Sequence, residues 1–189
     1  MIIYLHGFAS AGFGVKAQKF LEYFEDELIT PTLPTIPALA MATLEQIIEA
    51  FINRGIKVSL IGSSLGGFYA LYLANKYDLK AVLINPAVNP WITLESYRKD
   101  EEEMAVSYYD NSKFEFNHSH VQSLRNFEVV MLKNPDNILT LLQTDDEVLD
   151  YNEAADKLEE TNLEIEEGGN HSFVGIERYF RKVASFLEE

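Results

Sequence analysis

The chain is predicted to be an α/β domain, a mostly parallel sheet with helices on both faces. Three observations carry that expectation. Apolar, strand-like runs alternate with helix-patterned stretches from end to end. The 189 residues are 47% hydrophobic and 24% charged, an ordinary globular balance that buries about 70% of the unfolded surface in a single core. Finally, Gly62-Ser63-Ser64-Leu65-Gly66 falls between an apolar run, Val58 to Ile61, and a helix-like stretch, Phe68 to Lys76. No repeat or low-complexity linker divides residues 1–189, so a single domain is expected.

The elements follow in order. The opening Met1-Ile2-Ile3-Tyr4-Leu5 is the first strand, and Lys16 to Phe24 carries Phe20, Leu21 and Phe24 at helical spacing. Leu28 to Leu33 is a short strand ahead of Pro34 and Pro37. Thr43 with Gln46 three residues on has the form of a capping box, and Leu44, Ile47, Ile48, Phe51 and Ile52 recur on one helical face until Gly55. Lys57 to Ile61, Gly66 to Lys76 and Lys80 to Asn85 then read as strand, helix and strand, with Asn85-Pro86 as the stop. Residues 87 to 136 break this rhythm with weak helical patterning, an acidic run at Asp100-Glu101-Glu102-Glu103, and no clear strand before Val129 to Leu132. So long a departure is expected to be a small cap inserted over the carboxyl edge of the sheet. Ile138 to Gln143 resumes the sheet, Asp150 to Glu159 is a helix with Asp150 and Glu153 at its cap, and Leu163 to Ile165 is a last short strand. In the final helix Ile176, Tyr179, Phe180, Val183 and Phe186 share one face.

Composition narrows the function classes. Thirty acidic against 15 basic residues give a net charge of −15, which argues against nucleic acid and anionic membrane surfaces as partners. Zero cysteines exclude disulfides and thiolate metal sites. The apolar runs are too short to span a bilayer, and the first residues lack the basic region of a signal peptide, so a cytoplasmic protein is expected.

The pattern GxSxG marks a nucleophile elbow. A serine on a sharp strand-to-helix turn presents its Oγ above the sheet, with glycines relieving the crowding around it. By composition only about 0.03 chance matches are expected, and the spacings of a phosphate loop (GxxxxGK[ST]) and of a dinucleotide fold (GxGxxG) are absent. Ser64 is therefore the candidate nucleophile, and its chemistry would be acyl transfer. A serine hydroxyl needs a base held by an acid. In chain order Ser, acid, His, the base is His171, in Glu167-Gly168-Gly169-Asn170-His171-Ser172, while His6 lies upstream and is expected to shape the turn after the first strand. His118 and His120 fall in the cap; an HxH pair without a carboxylate partner is weak as a metal site, and none is expected. The acid lies in Thr144-Asp145-Asp146-Glu147-Val148. Asp146 is favoured, because Val148 two residues on is expected to pack the turn against the core, with Asp145 the alternative. Backbone N–H groups of Leu65 and Phe8 are the candidate oxyanion donors. Phe13, Trp91 and Tyr97 are candidate pocket walls.

With LHGF near the start, GSSLGG at the elbow, NPAV after the following strand, QTDDEVLDY and EGGNHSF, nearly the whole chain resembles the YqiA-like esterase family (UPF0227), a small bacterial branch of the α/β-hydrolase superfamily. The resemblance implies a compact α/β-hydrolase fold, serine esterase activity on acyl esters and thioesters, no cofactor, and a triad of Ser64, Asp146 and His171. It departs at Asp145, where similar turns often place glycine, so the choice of carboxylate stays open. The expected partner is a small acyl ester or thioester. The rival readings are amide or carbon–carbon hydrolysis by the same residues, and a non-catalytic hydrolase-fold binding protein.

Overall fold

The computed structural model describes residues 1–98 and 104–188. Its main sheet has six strands, all parallel, in the order β2-β1-β3-β4-β7-β8. These are β1 (Ile2–Leu5), β2 (Leu28–Ile29), β3 (Ser59–Ser63), β4 (Lys80–Ile84), β7 (Ile138–Gln143) and β8 (Asn162–Glu166). The inner strands β1, β3, β4 and β7 are buried along almost their whole length, as a parallel sheet covered on both faces requires. On one face α2 (Pro37–Ile52) and α3 (Leu65–Tyr77) bury Leu44, Ile48, Phe68 and Leu73 against Leu5, Leu60 and Leu83. On the other, α1 (Val15–Phe24) and α7 (Phe180–Glu188) pack Phe20, Phe24, Phe180 and Val183 against Tyr4, Ile61, Val82 and Leu141.

Residues 87–136 contain α4 (Pro90–Thr93), a two-stranded antiparallel hairpin of β5 (Ala105–Val106) and β6 (Lys113–Phe114), and α5 (His118–Ser123). Phe114 and Phe116 bring this segment onto Phe8, in the loop that follows β1. The acidic run Asp100-Glu101-Glu102-Glu103, expected as a solvated helix face or loop, lies outside the described residues. After β7, α6 (Tyr151–Lys157) is capped by Asp150, whose carboxylate accepts from Asn152 N at 3.0 Å. No helix among the described residues is long and apolar enough to cross a membrane.

Three local expectations need correction. Helix α2 begins at Pro37, not Thr43: proline presets φ for the first turn, and Ala38 to Ala42 are mostly strong helix formers. Thr43 is thus interior, and its hydroxyl donates to Leu39 O at 2.8 Å. The strand expected over Leu28 to Leu33 ends at Ile29, close to Pro31, which has no N–H for a ladder. The apolar run Val129 to Leu132 is not a strand, and Val130 and Met131 are 89% and 79% exposed.

Candidate active site

Strand β1 is flanked by β2 on one side and β3 on the other, so the chain leaves the middle of the sheet in opposite directions. In open α/β sheets the crevice outside the carboxyl ends of two such strands is where ligands bind. Ser64 stands there, directly after β3 and at the N-cap of α3, with φ 56° and ψ −122°. Its strained backbone is clamped from both sides: its N–H donates to Ile84 O at 3.1 Å, and its carbonyl accepts from Gly67, Phe68 and Ala87 at 2.9, 3.2 and 3.1 Å. The turn also depends on close approach, since a Cβ on Gly66 would overlap the Leu5 carbonyl oxygen.

His171 reaches this serine from the loop after β8. Its Nε2 is 3.0 Å from Ser64 Oγ, and its Nδ1 is 3.0 and 2.8 Å from Asp146 Oδ1 and Oδ2. An ionised carboxylate only accepts, so the proton belongs on Nδ1 and the Nε2 lone pair faces the serine hydroxyl. The Asp146 side chain is 2% exposed. Desolvation works against its charge, but hydrogen bonds from His171, Leu149 N and Val148 N outweigh it and hold the carboxyl below its ordinary pKa. Both backbone bonds are 2.9 Å. Asp145 and Glu147 are exposed. The turn is packed on the core by Leu149, whereas Val148, given that role from the sequence, is 49% exposed.

Two buried amides set the histidine loop. Gln143, at the end of β7, accepts from Asn170 N and Val174 N through Oε1 at 3.1 and 2.9 Å, and its Nε2 donates to Val174 O at 2.9 Å. Asn85 accepts from Gln143 N at 2.9 Å and donates to the carbonyls of Asn170 and His171 at 3.0 and 3.3 Å. The loop fits over Gln143 because Gly169 adopts φ 81°, where a Cβ would overlap the Gln143 amide. Glu147 adds a bond from His171 N to its Oε2 at 3.0 Å. Sequence reasoning missed Gln143 and noted Asn85 only as a strand stop; their polarity at the buried ends of apolar strands was the available signal.

The loop after β1 faces the serine: a Cβ on Gly7 would stand 3.7 Å from Ser64 Oγ. Next to it, Phe8 is gripped by Tyr97, Phe114 and Phe116, with ring centroids 5.5, 5.8 and 4.6 Å away. Neither Phe8 N–H nor Leu65 N–H donates to an acceptor among the described residues. His6 is a fixed part of this turn. Its Nε2 accepts from Leu33 N at 2.9 Å and its Nδ1 donates to Gly7 O at 2.8 Å, while burial lowers its pKa and keeps it neutral.

A pocket of about 950 Å³ opens over Ser64 and His171. Tyr97 lines it. The other two expected wall residues lie elsewhere: Phe13 is 51% exposed against the Tyr109 ring, and Trp91 is 6% exposed, edge-on to Phe68 in the core. His118 sits 3.5 Å from Glu95, and His120 forms a capping box with Asn117 at the start of α5. Among the described residues no group of three or more histidines and carboxylates is placed to hold a metal.

A family model described as "Uncharacterised protein family (UPF0227)" matches residues 1–188. A UPF0227 protein of Serratia proteamaculans is 27% identical over 98% of both chains, and UPF0227 protein YcfP of Salmonella paratyphi A is 26% identical over the same share. Among solved structures, Est1E from Butyrivibrio proteoclasticus with bound ferulic acid superposes with a TM-score of 0.72 at 15% identity, covering 99% of this chain and 87% of that one. A monoacylglycerol lipase from Paleococcus ferrophilus gives 0.67 at 17% identity, covering 98% and 93%. The sheet and its helices are those of the α/β-hydrolase fold.

Proposed function

Since the chain belongs to the UPF0227 family and has an α/β-hydrolase fold, we propose that it is a serine hydrolase of acyl esters and thioesters. One observation carries the reading: His171 lies 3.0 Å from Ser64 Oγ on one ring nitrogen and within 3.0 Å of both Asp146 oxygens on the other. That is the nucleophile, base and orienting acid of acyl transfer. The fold is shared with a protein named as a monoacylglycerol lipase, which supports the same class.

In the proposed reaction Ser64 Oγ attacks the acyl carbonyl carbon as its proton passes to His171 Nε2. Asp146, ionised and accepting from Nδ1, stabilises the imidazolium. The tetrahedral oxyanion is received by the N–H groups of Phe8 and Leu65, each worth about 3 kcal/mol by comparison with single-donor deletions elsewhere. Collapse expels the alcohol or thiol, with His171 returning the proton to the leaving oxygen or sulfur. Water, deprotonated by the same Nε2, then attacks the acyl-enzyme; Ser64 leaves protonated and the acid is released.

Labelling with a fluorophosphonate tests this. Wild-type protein is expected to gain the probe on Ser64, and Ser64→Ala and His171→Ala are expected to lose it. Folded wild-type protein whose Ser64 stays unmodified would sink the proposal.

A further inference from the structure

The pocket holds a cation that the reaction above does not use. Lys16, in the first turn of α1, lines the pocket, and its Nζ donates to Ser63 Oγ at 2.6 Å. Ser63 is the residue before the nucleophile, so this path puts the ammonium no more than about 11 Å from Ser64 Oγ. An ammonium has three donors. Among the described residues Ser63 is its hydrogen-bond partner, and no carboxylate lies within 4.0 Å of it. Desolvation pushes its pKa down to about 8, with Asp146 acting only through space.

The neighbouring charges are already engaged. Asp146 is engaged by His171, Val148 and Leu149 and makes no contact within 4.0 Å of the Lys16 ammonium. Lys19, one turn further along α1, is paired with Glu177. Glu147, the one carboxylate lining the pocket among the described residues, accepts from His171 N on the opposite loop. A partly desolvated cation without a counterion is costly unless something pairs with it. In a pocket that opens on the nucleophile, the group able to do so is part of the substrate.

We propose that Lys16 is a specificity-determining residue that binds a carboxylate on the substrate, so that the preferred substrates are esters or thioesters carrying a free carboxylate a few bonds from the scissile carbonyl. A single ammonium on a chain of net charge −15 matches a monoanion better than a doubly charged phosphate. The proposal rests on the hydrolase reading, but part of its test does not.

The discriminating substrates are 4-nitrophenyl hemiglutarate, which carries a carboxylate, and 4-nitrophenyl butyrate, which does not. The ratio of their kcat/KM values is expected to favour the hemiglutarate in wild type. In Lys16→Met that ratio is expected to fall by about tenfold or more, and equally in Lys16→Gln, which keeps a donor for Ser63 but not the charge. Calorimetry of glutarate binding to Ser64→Ala, with and without Lys16→Gln, reads the same site without turnover; a loss of affinity of about tenfold is expected. An unchanged ratio in both variants, or no glutarate binding to Ser64→Ala up to about 10 mM, overturns the proposal. Hydrolysis of the butyrate ester with no Lys16-dependent preference would leave the hydrolase reading standing alone. Lys16-dependent glutarate binding by a wild type that cleaves neither ester would do the reverse.

Discussion

Asp146 is held ionised by the His171 ring and two backbone donors, while Asp145 one residue away is exposed beside Thr144 Oγ1 at 3.4 Å. The proposed role of Asp146 thus predicts unequal asparagine variants. Asp146→Asn leaves His171 without the carboxylate that fixes its tautomer, and kcat is expected to fall by about 10⁴, the size of such a loss elsewhere. Asp145→Asn is expected to stay within about twofold, since exposed polar changes rarely matter. Steady-state ester hydrolysis distinguishes the two. Asp146 also has a signature in stability. Its folded pKa lies below its unfolded value, so its contribution is present above about pH 4 and is lost as pH falls through the folded value. The melting temperature of wild type is therefore expected to exceed that of Asp146→Asn near neutrality, with the gap closing in strong acid. Two adjacent aspartates look alike in a sequence, because only the path of the turn decides which one faces inward. Lys16 was hidden for a related reason: a lysine on an amphipathic helix normally reads as solvated surface, and its approach to Ser63 is a tertiary contact.

Strand β7 contributes through its last residue. Replacing Gln143 by leucine leaves the N–H groups of Asn170 and Val174 without their acceptor in a partly buried setting, which costs about 1 kcal/mol for each group left unpaired, the low end for buried donors. If His171 is the base, its displacement lowers kcat more than it raises KM. Urea unfolding with steady-state kinetics on Gln143→Leu reads both effects. Elements with one dominant local signal were the legible ones: β7 was predicted at its observed bounds from the run Ile138 to Gln143, and α3 from the helix-like stretch Phe68 to Lys76 that follows the elbow. Those decided by competition were not. Thr43 and Gln46 imitate a cap that Pro37 makes unnecessary, and Val129 to Leu132 has strand composition, but the Asn75 side chain of α3 bonds the backbone at Met131 and Lys133. The position of Ser64 and His171 at adjoining loops followed from chain order. The Gln143 and Asn85 network that sets their separation did not, because its bonds join residues far apart in sequence.

At the scale of the whole molecule, 30 acidic residues against 15 basic ones leave the folded chain repelling itself. Salt shortens the reach of that repulsion from about 30 Å at 0.01 M to about 8 Å at 0.15 M. The melting temperature is therefore expected to rise over this interval in sodium chloride; a flat or falling profile would mean that local pairs such as Lys19 with Glu177 outweigh the net field. The backbone carries a second global cost. Of the seven non-glycine residues with positive φ among those described, Ala9, Ser64, Asn85 and Phe173 lie at the loops that meet over the sheet. Each such residue holds back about 1–3 kcal/mol from a net folding free energy of only about 5–15 kcal/mol. Ser64 is a standing charge on the fold, and a chain selected for thermal endurance alone would put glycine there. Relieving the strain at those four positions would therefore dismantle the candidate site first, so gains in endurance have to come from the far ends of the strands, where Glu25 and Asp78 hold positive φ ahead of β2 and β4.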